Sequence, residues 1–428
     1  MENKQKGLIE RKKKILILTA DSGFGHRSAA NAIAAALAEK HGSECDAVIL
    51  NPLEDHRAPI FLRDSAADYD RLIRNAPDLY RFGYNASDNE IPNFLIESLM
   101  TVSLYEIMRD MVRDLNPDAI VTTYPMYQAP LNSYFTINRY RVPLITVVTD
   151  LVTVHRMWFM PHVEMCLVPT TEVKKLALSN GIAASKIHIT GIPVSPVYAT
   201  NTRSKAEIRK KLGWDPKQTT FLAVSSRRAD RLVEALNVLN HFGAPVQVAA
   251  LAGKNEKLHD QLKSIEWHIP AHIYGLAENM PDLMLASDAI ICKAGGLIVT
   301  ESLACGMPML LIDVIPGQEE GNRDYVVQNG AGVLAETPMQ MLETVSHWMA
   351  DGGVGLKEFA QNACKVGRSN SAYDAVDLIW KAALRGPRNT RGKPGSRRTW
   401  LIDLLTKNNI PLEISKAPKL NKKKYPFI

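Results

Sequence analysis

The chain has 428 residues, of which 46% are hydrophobic and 22% are charged, and its formal net charge is +6. This length exceeds what one hydrophobic core usually serves, so we expect two domains of a globular α/β protein. No run of about 18 apolar residues occurs, which excludes a membrane-spanning helix, and residues 15–18 are too few for the core of a secretion signal.

The first half of the chain alternates short apolar runs with helix-length segments. We predict strands at residues 14–19, 45–51, 119–123, 144–149 and 165–168. Residues 28–40, between the first two runs, are rich in alanine and favour a helix. This alternation predicts a parallel-sheet domain over residues 13–196, which ends in the Gly- and Pro-rich segment 191–196.

Between the second and third predicted strands, apolar residues recur every three or four positions. They are Leu95, Leu99, Val102, Tyr105, Met108, Val112 and Leu115. This spacing predicts an amphipathic helix that faces the core. Docking of part of this helix on a membrane surface is the alternative.

The second half repeats the pattern of the first. We predict strands at residues 221–224, 246–251, 272–274, 289–292 and 309–312, within a domain over residues 201–384. Two doubly wound domains that face each other bind a ligand between the carboxyl ends of their sheets.

A pair of glycines follows the predicted strand at residues 289–292. Gly295 and Gly296 allow backbone N–H groups to approach a ligand, and a helix predicted to begin at about Thr300 adds its dipole, so this turn suits a phosphate. Glu301 suits a sugar diol, because a carboxylate accepts two hydroxyl hydrogens. A Pro-Gly turn then adds two carboxylates and an amide, at Glu319, Glu320 and Asn322. These groups indicate a nucleotide-sugar site; an ordinary βα turn with a polar loop is the alternative.

Residues 385–428 form a basic C-terminal segment. Twelve Lys or Arg against Asp403 and Glu413 give it a net charge of +10, which leaves −4 for the rest of the chain. We predict a flexible tail, and its charge leaves open a tether to an anionic membrane surface. No nucleic-acid recognition motif accompanies the charge, so we expect no nucleic-acid partner.

Several segments, taken together and in this order, carry a resemblance to a known family. They are residues 21–30 (DSGFGHRSAA), 124–126, 149–150 with His155 and Trp158, 189–194, 253–255, 279–284, 293–301 and 315–322. In these motifs the chain resembles the monogalactosyldiacylglycerol synthase and processive diacylglycerol glucosyltransferase family over roughly residues 13–384. It is more distantly similar to the transferase that adds N-acetylglucosamine to the lipid-linked peptidoglycan precursor.

The resemblance implies a GT-B architecture, an α/β fold of two Rossmann-like doubly wound domains facing a central cleft. It implies an inverting transferase that needs no metal or other cofactor and binds a UDP-sugar mainly through its C-terminal domain. The N-terminal domain would take diacylglycerol from the membrane surface. The acceptor-side loops would contain Gly23, Phe24, Gly25, Tyr124 and Pro125.

Within that resemblance, His26 is the candidate catalytic base. Inversion needs a base for the acceptor hydroxyl, and a histidine pKa lies near the working pH. A capping or merely packed histidine is the alternative. Asp150 and His155 follow a predicted strand and would orient the base or contact the donor.

The expected donor contacts lie in the second half. Besides Gly295, Gly296 and Leu297, they are Glu301 for the ribose and Gln318, Glu319, Glu320 and Asn322 for sugar or ribose hydroxyls. Without a metal, N–H groups of the glycine turn and basic side chains would meet the charge of the leaving group.

One segment departs from the family pattern. Residues 225–230 read SSRRAD where the family has a Gly-rich loop, and side chains there would block close backbone approach. Arg227 or Arg228 could instead donate to the diphosphate. Weak or lost activity is the alternative.

We therefore expect a cytoplasmic enzyme, peripheral on the inner face of the cell membrane, that moves galactose or glucose from UDP-galactose or UDP-glucose to diacylglycerol as a β-glycoside. Five scattered cysteines fit a reducing compartment and predict no metal cluster. A UDP-sugar epimerase and a nucleotide-sugar-sensing membrane protein are the alternatives.

Overall fold

The computed structural model describes residues 11–21, 24–59, 63, 88, 90–225, 229–277, 279–317 and 319–390. Most of the predicted tail, the acceptor-loop residue Gly23 and the donor candidates Arg227, Arg228 and Gln318 lie outside the described residues. Both sheets belong to one compact unit that ends at Arg388.

A six-stranded parallel sheet forms the first half, in the order β2-β1-β3-β5-β6-β7. The first-half strands are β1 (Lys13–Leu18), β2 (Cys45–Leu50), β3 (Ala119–Thr122), β4 (Tyr140–Arg141), β5 (Leu144–Val147), β6 (Met165–Val168) and β7 (Ile187–Ile189), of which β4 lies outside this sheet. The five predicted strands are confirmed. The edge strand β7 was not predicted, because its three residues are too short for a recognisable pattern.

Helices cover both faces of this sheet, so the last four residues of β1 are fully buried. The helices are α1 (Phe24–His41), α2 (Glu90–Leu115), α3 (Gln128–Asn138) and α4 (Thr171–Ser179). Short 3-10 turns occur at Pro52–Glu54, Pro125–Tyr127, Arg156–Trp158 and Ala184–Lys186.

The apolar stripe predicted along α2 divides into two faces. Met108 and Val112 pack in the core, as expected. The expectation is wrong for Leu95, Leu99 and Val102, whose exposed fractions are 60%, 49% and 80%. A second set, Met100, Leu104 and Ile107, takes the core-facing side instead and turns the first set outward.

A second parallel sheet has the order β10-β9-β8-β11-β12-β13. Its strands are β8 (Thr219–Val224), β9 (Val246–Leu251), β10 (Ala271–Tyr274), β11 (Ala289–Lys293), β12 (Met309–Asp313) and β13 (Gly332–Leu334). The five predicted strands are confirmed, and only the short β13 was not predicted. A further short strand, β14, spans Arg388–Asn389.

The second half contains most of the helices. They are α5 (Val197–Thr200), α6 (Lys205–Leu212), α7 (Ala229–Asn240), α8 (Glu256–Ser264), α9 (Met280–Ala286), α10 (Gly296–Ala304), α11 (Glu320–Gln328), α12 (Pro338–Met349), α13 (Val354–Val366) and α14 (Ser371–Arg385), with a 3-10 turn at Ala350–Gly352. Across the described part of the chain, none is long and apolar enough to cross a bilayer.

The last helix, α14, crosses back to the first sheet. Val376 and Ile379 pack in one core with Ile15 and Ile17 of β1. The backbone N–H of Val194, between the two sheets, donates to Ser371 Oγ at 3.2 Å. The chain therefore connects the two sheets twice, whereas the domain limits at residues 196, 201 and 384 stay predictions.

Candidate active site

His26 lies in the first turn of α1, beyond the carboxyl end of β1. Its ring Nδ1 is 2.8 Å from the carbonyl oxygen of Thr123 and 2.8 Å from Oγ1 of Thr149. Thr123 also donates its hydroxyl to the His26 carbonyl oxygen at 3.0 Å. Residues that follow β3 and β5 thus hold this histidine by its ring and its backbone.

These contacts determine which ring nitrogen of His26 carries the proton. A carbonyl oxygen only accepts hydrogen bonds, so Nδ1 must donate. The hydrogen bonds of this ring to described residues all fall on Nδ1. The neutral ring therefore presents the lone pair of Nε2, which can take up a proton.

Aromatic side chains surround the His26 ring. The ring centroid lies 5.1 Å from that of Tyr124, edge to face, and 6.0 Å from that of Trp158. Burial disfavours the imidazolium and lowers the pKa of His26 to about 4, against a smaller opposing effect of the bond to Thr123. His26 is therefore neutral at pH 7 and can accept a proton, but its pKa lies well below the working pH that the sequence analysis expected, which makes it a weaker base.

Asp150 reaches the same site through Trp158. The indole Nε1–H of Trp158 donates to Asp150 Oδ2 at 2.7 Å. Burial raises the pKa of Asp150 to about 6, and the indole hydrogen bond opposes that rise. Asp150 was expected to orient the base or to contact the donor. The oxygens that contact Nδ1 of His26 belong to Thr123 and Thr149, and the donor contact stays a prediction.

His155 is the capping residue of the turn Arg156–Trp158. Its Nδ1 accepts a hydrogen bond from the backbone N–H of Met157 at 3.2 Å, and its exposed fraction is 8%. Nδ1 is therefore unprotonated in the neutral ring, and Nε2 carries the hydrogen. This geometry supports the turn that carries Trp158, and a catalytic role for His155 stays a prediction.

The acceptor-side residues Tyr124 and Pro125 form a second turn beside His26. Tyr124 is buried and precedes the 3-10 turn Pro125–Tyr127. Phe24 is the first residue of α1. A Cβ atom on the next residue, Gly25, would have no other atom within 4 Å.

Gln128, which we did not predict, connects the two turns. It is fully buried, its amide donates to the carbonyl oxygens of Met157 and Trp158 at 3.1 and 3.3 Å, and its Oε1 accepts from Thr146 Oγ1 at 2.8 Å. The sequence offered one signal for Gln128, since it is a polar residue that lies just after the resemblance motif at residues 124–126.

A helix follows the glycine turn of the second domain, as expected, but the helix begins earlier than predicted. Gly295 is the N-cap of α10, which begins at Gly296 and not near Thr300. Glycine has a poor helix propensity, which concealed the true start, although it suits an N-cap. Gly296 and Leu297 thus lie in the first helical turn, where free N–H groups favour an anion.

Lys293 and Glu319 form an ion pair beside this turn. Lys293 Nζ lies 3.2 Å from where a Cβ atom of Gly295 would be. Glu319 is buried, and its Oε2 accepts from the backbone N–H of Ile315 at 3.0 Å. Glu319, expected as a sugar contact, therefore holds Lys293 over the turn. We did not predict Lys293, although its place at the end of β11 was the available signal.

Glu320 and Asn322 lie in the first turn of α11. The Asn322 amide donates to the carbonyl oxygen of Ala294 at 3.0 Å, next to the glycine turn. Its Oδ1 is buried without a hydrogen-bond partner among the described residues. A buried acceptor of this kind is suited to a ligand hydroxyl.

Glu301 lies in α10 and is 8% exposed. Burial raises the pKa of its carboxyl to about 7, and the neighbouring Tyr198 hydroxyl opposes that rise. Tyr198 belongs to α5, between the two sheets, and its hydroxyl also lies 3.1 Å from Met284 Sδ. Tyr198 was not predicted, because its proximity to Glu301 depends on the path of the chain.

The two sets of residues meet across one interface. A Cβ atom on Gly296 would lie 3.6 Å from the carbonyl oxygen of Thr149. A Cβ atom on Gly321 would overlap Thr153 Oγ1, so only glycine permits this approach of α11. The His26 site and the Gly295 turn therefore face each other, as the two loops were expected to do.

Comparisons with known proteins agree with this arrangement. Residues 26–194 match the family model described as monogalactosyldiacylglycerol (MGDG) synthase, and residues 204–366 match the model for glycosyl transferases group 1. The monogalactosyldiacylglycerol synthase of Spinacia oleracea is 33% identical over 384 residues, which cover 86% of this chain and 72% of that protein. The monogalactosyldiacylglycerol synthase 3 of Arabidopsis thaliana is 33% identical over 399 residues, which cover 89% of this chain and 83% of that protein. Both relatives are named as chloroplastic.

Solved structures show the same fold. MurG of Acinetobacter baumannii aligns with a TM-score of 0.55 at 17% identity, covering 86% of this chain and 99% of that one. The UDP-GlcNAc 2-epimerase of Neisseria meningitidis, bound to UDP-GlcNAc, aligns with a TM-score of 0.55 at 16% identity, covering 86% and 100%. The expected GT-B architecture is thereby confirmed.

Proposed function

Because the chain belongs to the monogalactosyldiacylglycerol synthase family, we propose that it transfers galactose from UDP-galactose to diacylglycerol with inversion, forming a β-galactosyldiacylglycerol. The names of the relatives favour galactose over glucose. One observation about the site supports the reaction above all. A neutral histidine whose Nδ1 contacts Thr149 lies close to a helix N-terminus suited to a diphosphate, because the Thr149 carbonyl oxygen abuts Gly296.

His26 acts as the general base. Its Nε2 takes the proton of the acceptor hydroxyl while that oxygen bonds to the anomeric carbon. The bond from the anomeric carbon to the diphosphate oxygen breaks on the opposite face, and UDP leaves with the electron pair. The proton ends on His26, which becomes an imidazolium and later releases the proton to solvent.

The second domain holds the donor without a metal ion. Backbone N–H groups at Gly296 and Leu297 and the Lys293 ammonium bind the diphosphate and stabilise its developing charge. Glu301 accepts hydrogen bonds from the ribose hydroxyls, and the buried Oδ1 of Asn322 accepts one from the sugar. Turnover should therefore persist after treatment with EDTA.

The exposed face of α2 contacts the membrane. Leu95, Leu99 and Val102 lie at helical spacing on that face. Beside them lies a small pocket of about 10 Å³. Besides Glu97, its lining is mostly apolar and includes Ile96, Met100, Met126, Met157 and Met160. Because Met126 and Met157 belong to the two turns beside His26, this side of α2 would bring the membrane surface, and with it diacylglycerol, near the base. The protein would thus be peripheral on a membrane, and removal of residues 385–428 tests whether the tail adds binding to anionic vesicles.

The test is transfer of radiolabel to lipid. The full chain is incubated with radiolabelled UDP-galactose or UDP-glucose and vesicles that contain diacylglycerol, with vesicles lacking it as the control. Labelled β-galactosyldiacylglycerol supports the proposal, and labelled glucolipid moves the donor to UDP-glucose. Sugar isomerisation without lipid product points to an epimerase, and UDP-sugar binding without turnover points to a sensor. Either of these last two results overturns the proposal.

A further inference from the structure

Thr149 contacts both sides of the cleft through different atoms. Its hydroxyl oxygen lies 2.8 Å from His26 Nδ1. Its carbonyl oxygen lies 3.6 Å from where a Cβ atom of Gly296 would be, at the N-terminus of α10. The residue is 6% exposed, so its two contacts are confined by packing.

We infer that Thr149 is a positioning residue that aligns the base with the donor. Its side chain accepts the Nδ1 hydrogen of His26 while its backbone abuts the helix that holds the diphosphate. This inference rests on the proposed function, because it assumes that the acceptor approaches His26 Nε2.

A hydroxyl suits this position better than a carboxylate would. A carboxylate on Nδ1 would stabilise the imidazolium and favour a protonated ring before the acceptor arrives. The uncharged oxygens of Thr149 and Thr123 fix the ring orientation without adding charge. The ring then stays neutral and keeps its lone pair on Nε2.

The segment that follows Thr149 continues the contact with the donor side. Thr153 lies against Gly321 in the first turn of α11, and Leu151 packs in one core with Ala294, next to the glycine turn. The position of Thr149 is thus set by the second domain, although its hydroxyl serves a base in the first. The packing of the two domains against each other would therefore determine the position of His26 Nε2 with respect to the bound sugar.

The experiment compares Thr149→Val, which keeps the shape of the side chain but lacks the hydroxyl, with Thr149→Ser, which keeps the hydroxyl. Thr136→Val serves as the matched control, because Thr136 is an exposed residue of α3. All are made in the full chain and assayed with UDP-galactose and diacylglycerol vesicles. UDP binding is measured by calorimetry.

We expect Thr149→Val to lower kcat by roughly 5- to 10-fold, the effect of one lost hydrogen bond, with little change in the KM for UDP-galactose or the affinity for UDP. The kcat of Thr149→Ser should stay within about twofold of that of the natural chain, because serine keeps the hydroxyl oxygen that accepts the hydrogen bond from His26. A merely structural role would instead move kcat and KM together, and serine would not rescue. Unchanged kcat in Thr149→Val, or equal losses in both variants, would overturn the inference.

A second readout does not depend on turnover. With ¹⁵N-labelled histidine, and with His26 identified by comparison with His26→Gln, the spectrum near pH 7.5 should show the hydrogen on Nδ1 of His26. In Thr149→Val the Thr123 carbonyl still accepts from Nδ1, so the hydrogen should stay on Nδ1, but the Nδ1 resonance should shift because one of its two acceptors is lost. Hydrogen on Nε2 in the natural chain would contradict the inference. If the natural chain makes no labelled lipid but shows hydrogen on Nδ1, the proposed function fails while the contact to Thr149 stands.

Discussion

The two sides of the cleft differ in the charge of the groups that they present. On the first-domain side, uncharged oxygens of Thr123 and Thr149 hold the neutral His26. On the second-domain side, Lys293 and Glu319 form an ion pair beside the N-terminus of α10. A base must be neutral to take a proton, whereas a diphosphate needs fixed positive charge. The difference indicates a division of labour between proton removal and departure of UDP.

Burial affects titratable groups on both sides, but with different consequences for function. It lowers the pKa of His26 to about 4 and so favours the form that can act as a base. It raises the pKa of Asp150 to about 6 and that of Glu301 to about 7, which opposes their ionised forms. The first-domain and second-domain steps should therefore respond to pH in different ranges.

Removal of the base should have the largest effect. Because no other group accepts the acceptor proton in our mechanism, His26→Ala should lower kcat by a factor on the order of 10² or more, with UDP affinity retained. Lipid transfer and calorimetry measure the two effects. His56→Ala is the control, because the His56 side chain is 88% exposed. Retained turnover in His26→Ala would assign the base to another residue, with Asp150 as the next candidate.

Removal of the positive charge of Lys293, on the second-domain side, should weaken the binding of UDP. We expect Lys293→Met to lower the affinity for UDP by roughly 10- to 100-fold, the effect of a lost charge-assisted hydrogen bond, and to leave uridine binding unchanged. Lys293→Arg should retain part of the affinity. Lys257→Met, at an exposed position of α8, is the control. An equal loss for uridine would show that Lys293 acts on the fold of the site and not on the diphosphate.

Glu301 should show a conflict between stability and function. Its pKa in the folded chain, about 7, exceeds the usual 4.5, so the folded state loses stability as pH rises from 4.5 through 7 and the buried carboxyl ionises. Glu301→Gln cannot ionise, so at pH 8 its free energy of unfolding should exceed that of the natural chain by about 3 kcal/mol, and the difference should nearly vanish near pH 4.5. Its UDP affinity at pH 8 should fall.

Chemical denaturation and UDP titration at the two pH values measure these changes in Glu301→Gln. Glu343→Gln, at an exposed position of α12, is the control. Equal stabilities of Glu301→Gln and the natural chain at pH 8 would contradict the burial of an ionisable carboxyl.

The smallest effect is expected for Trp158→Phe, which should separate the pH dependence of kcat from the pH dependence of UDP affinity. Asp150 holds the Trp158 indole beside His26, so loss of its ionised form should lower kcat and give an acidic limb near pH 6. Trp158→Phe removes the indole N–H that lowers the pKa of Asp150, so this limb should move to higher pH by up to about one unit. The pH dependence of UDP affinity, which reflects Glu301, should not move. A shift of both profiles would mean that the two sides titrate together.

Much of the fold could be predicted because its signals are local. Most sheet strands of at least four residues contain an apolar run, and such runs identify buried parallel strands without reference to the rest of the chain. The three-residue strands β7 and β13 carry too few residues for that signal. In α2 the helical period was correct, but two apolar sets share it, and only packing decided which set faces the core.

The candidate site divides in the same way. His26, Gly295, Gly296 and Glu301 were recognisable because each lies in a motif of neighbouring residues that has a chemical meaning by itself. The contacts that hold these residues were not predicted, although Thr149 and Glu319 themselves lie in motifs that the sequence analysis named. Thr123 and Thr149 lie 97 and 123 positions after His26, and Lys293 and Glu319 are 26 positions apart.

The amino-acid sequence by itself therefore determined two parallel sheets, a histidine after the first strand and a glycine turn before α10. Only the tertiary structure decided that Thr149 meets both, that Tyr198 contacts Glu301, and that α14 returns to the first sheet. The physical reason is that strand and turn preferences arise from neighbouring residues. Hydrogen bonds and packing between distant residues exist only after the chain has closed on itself.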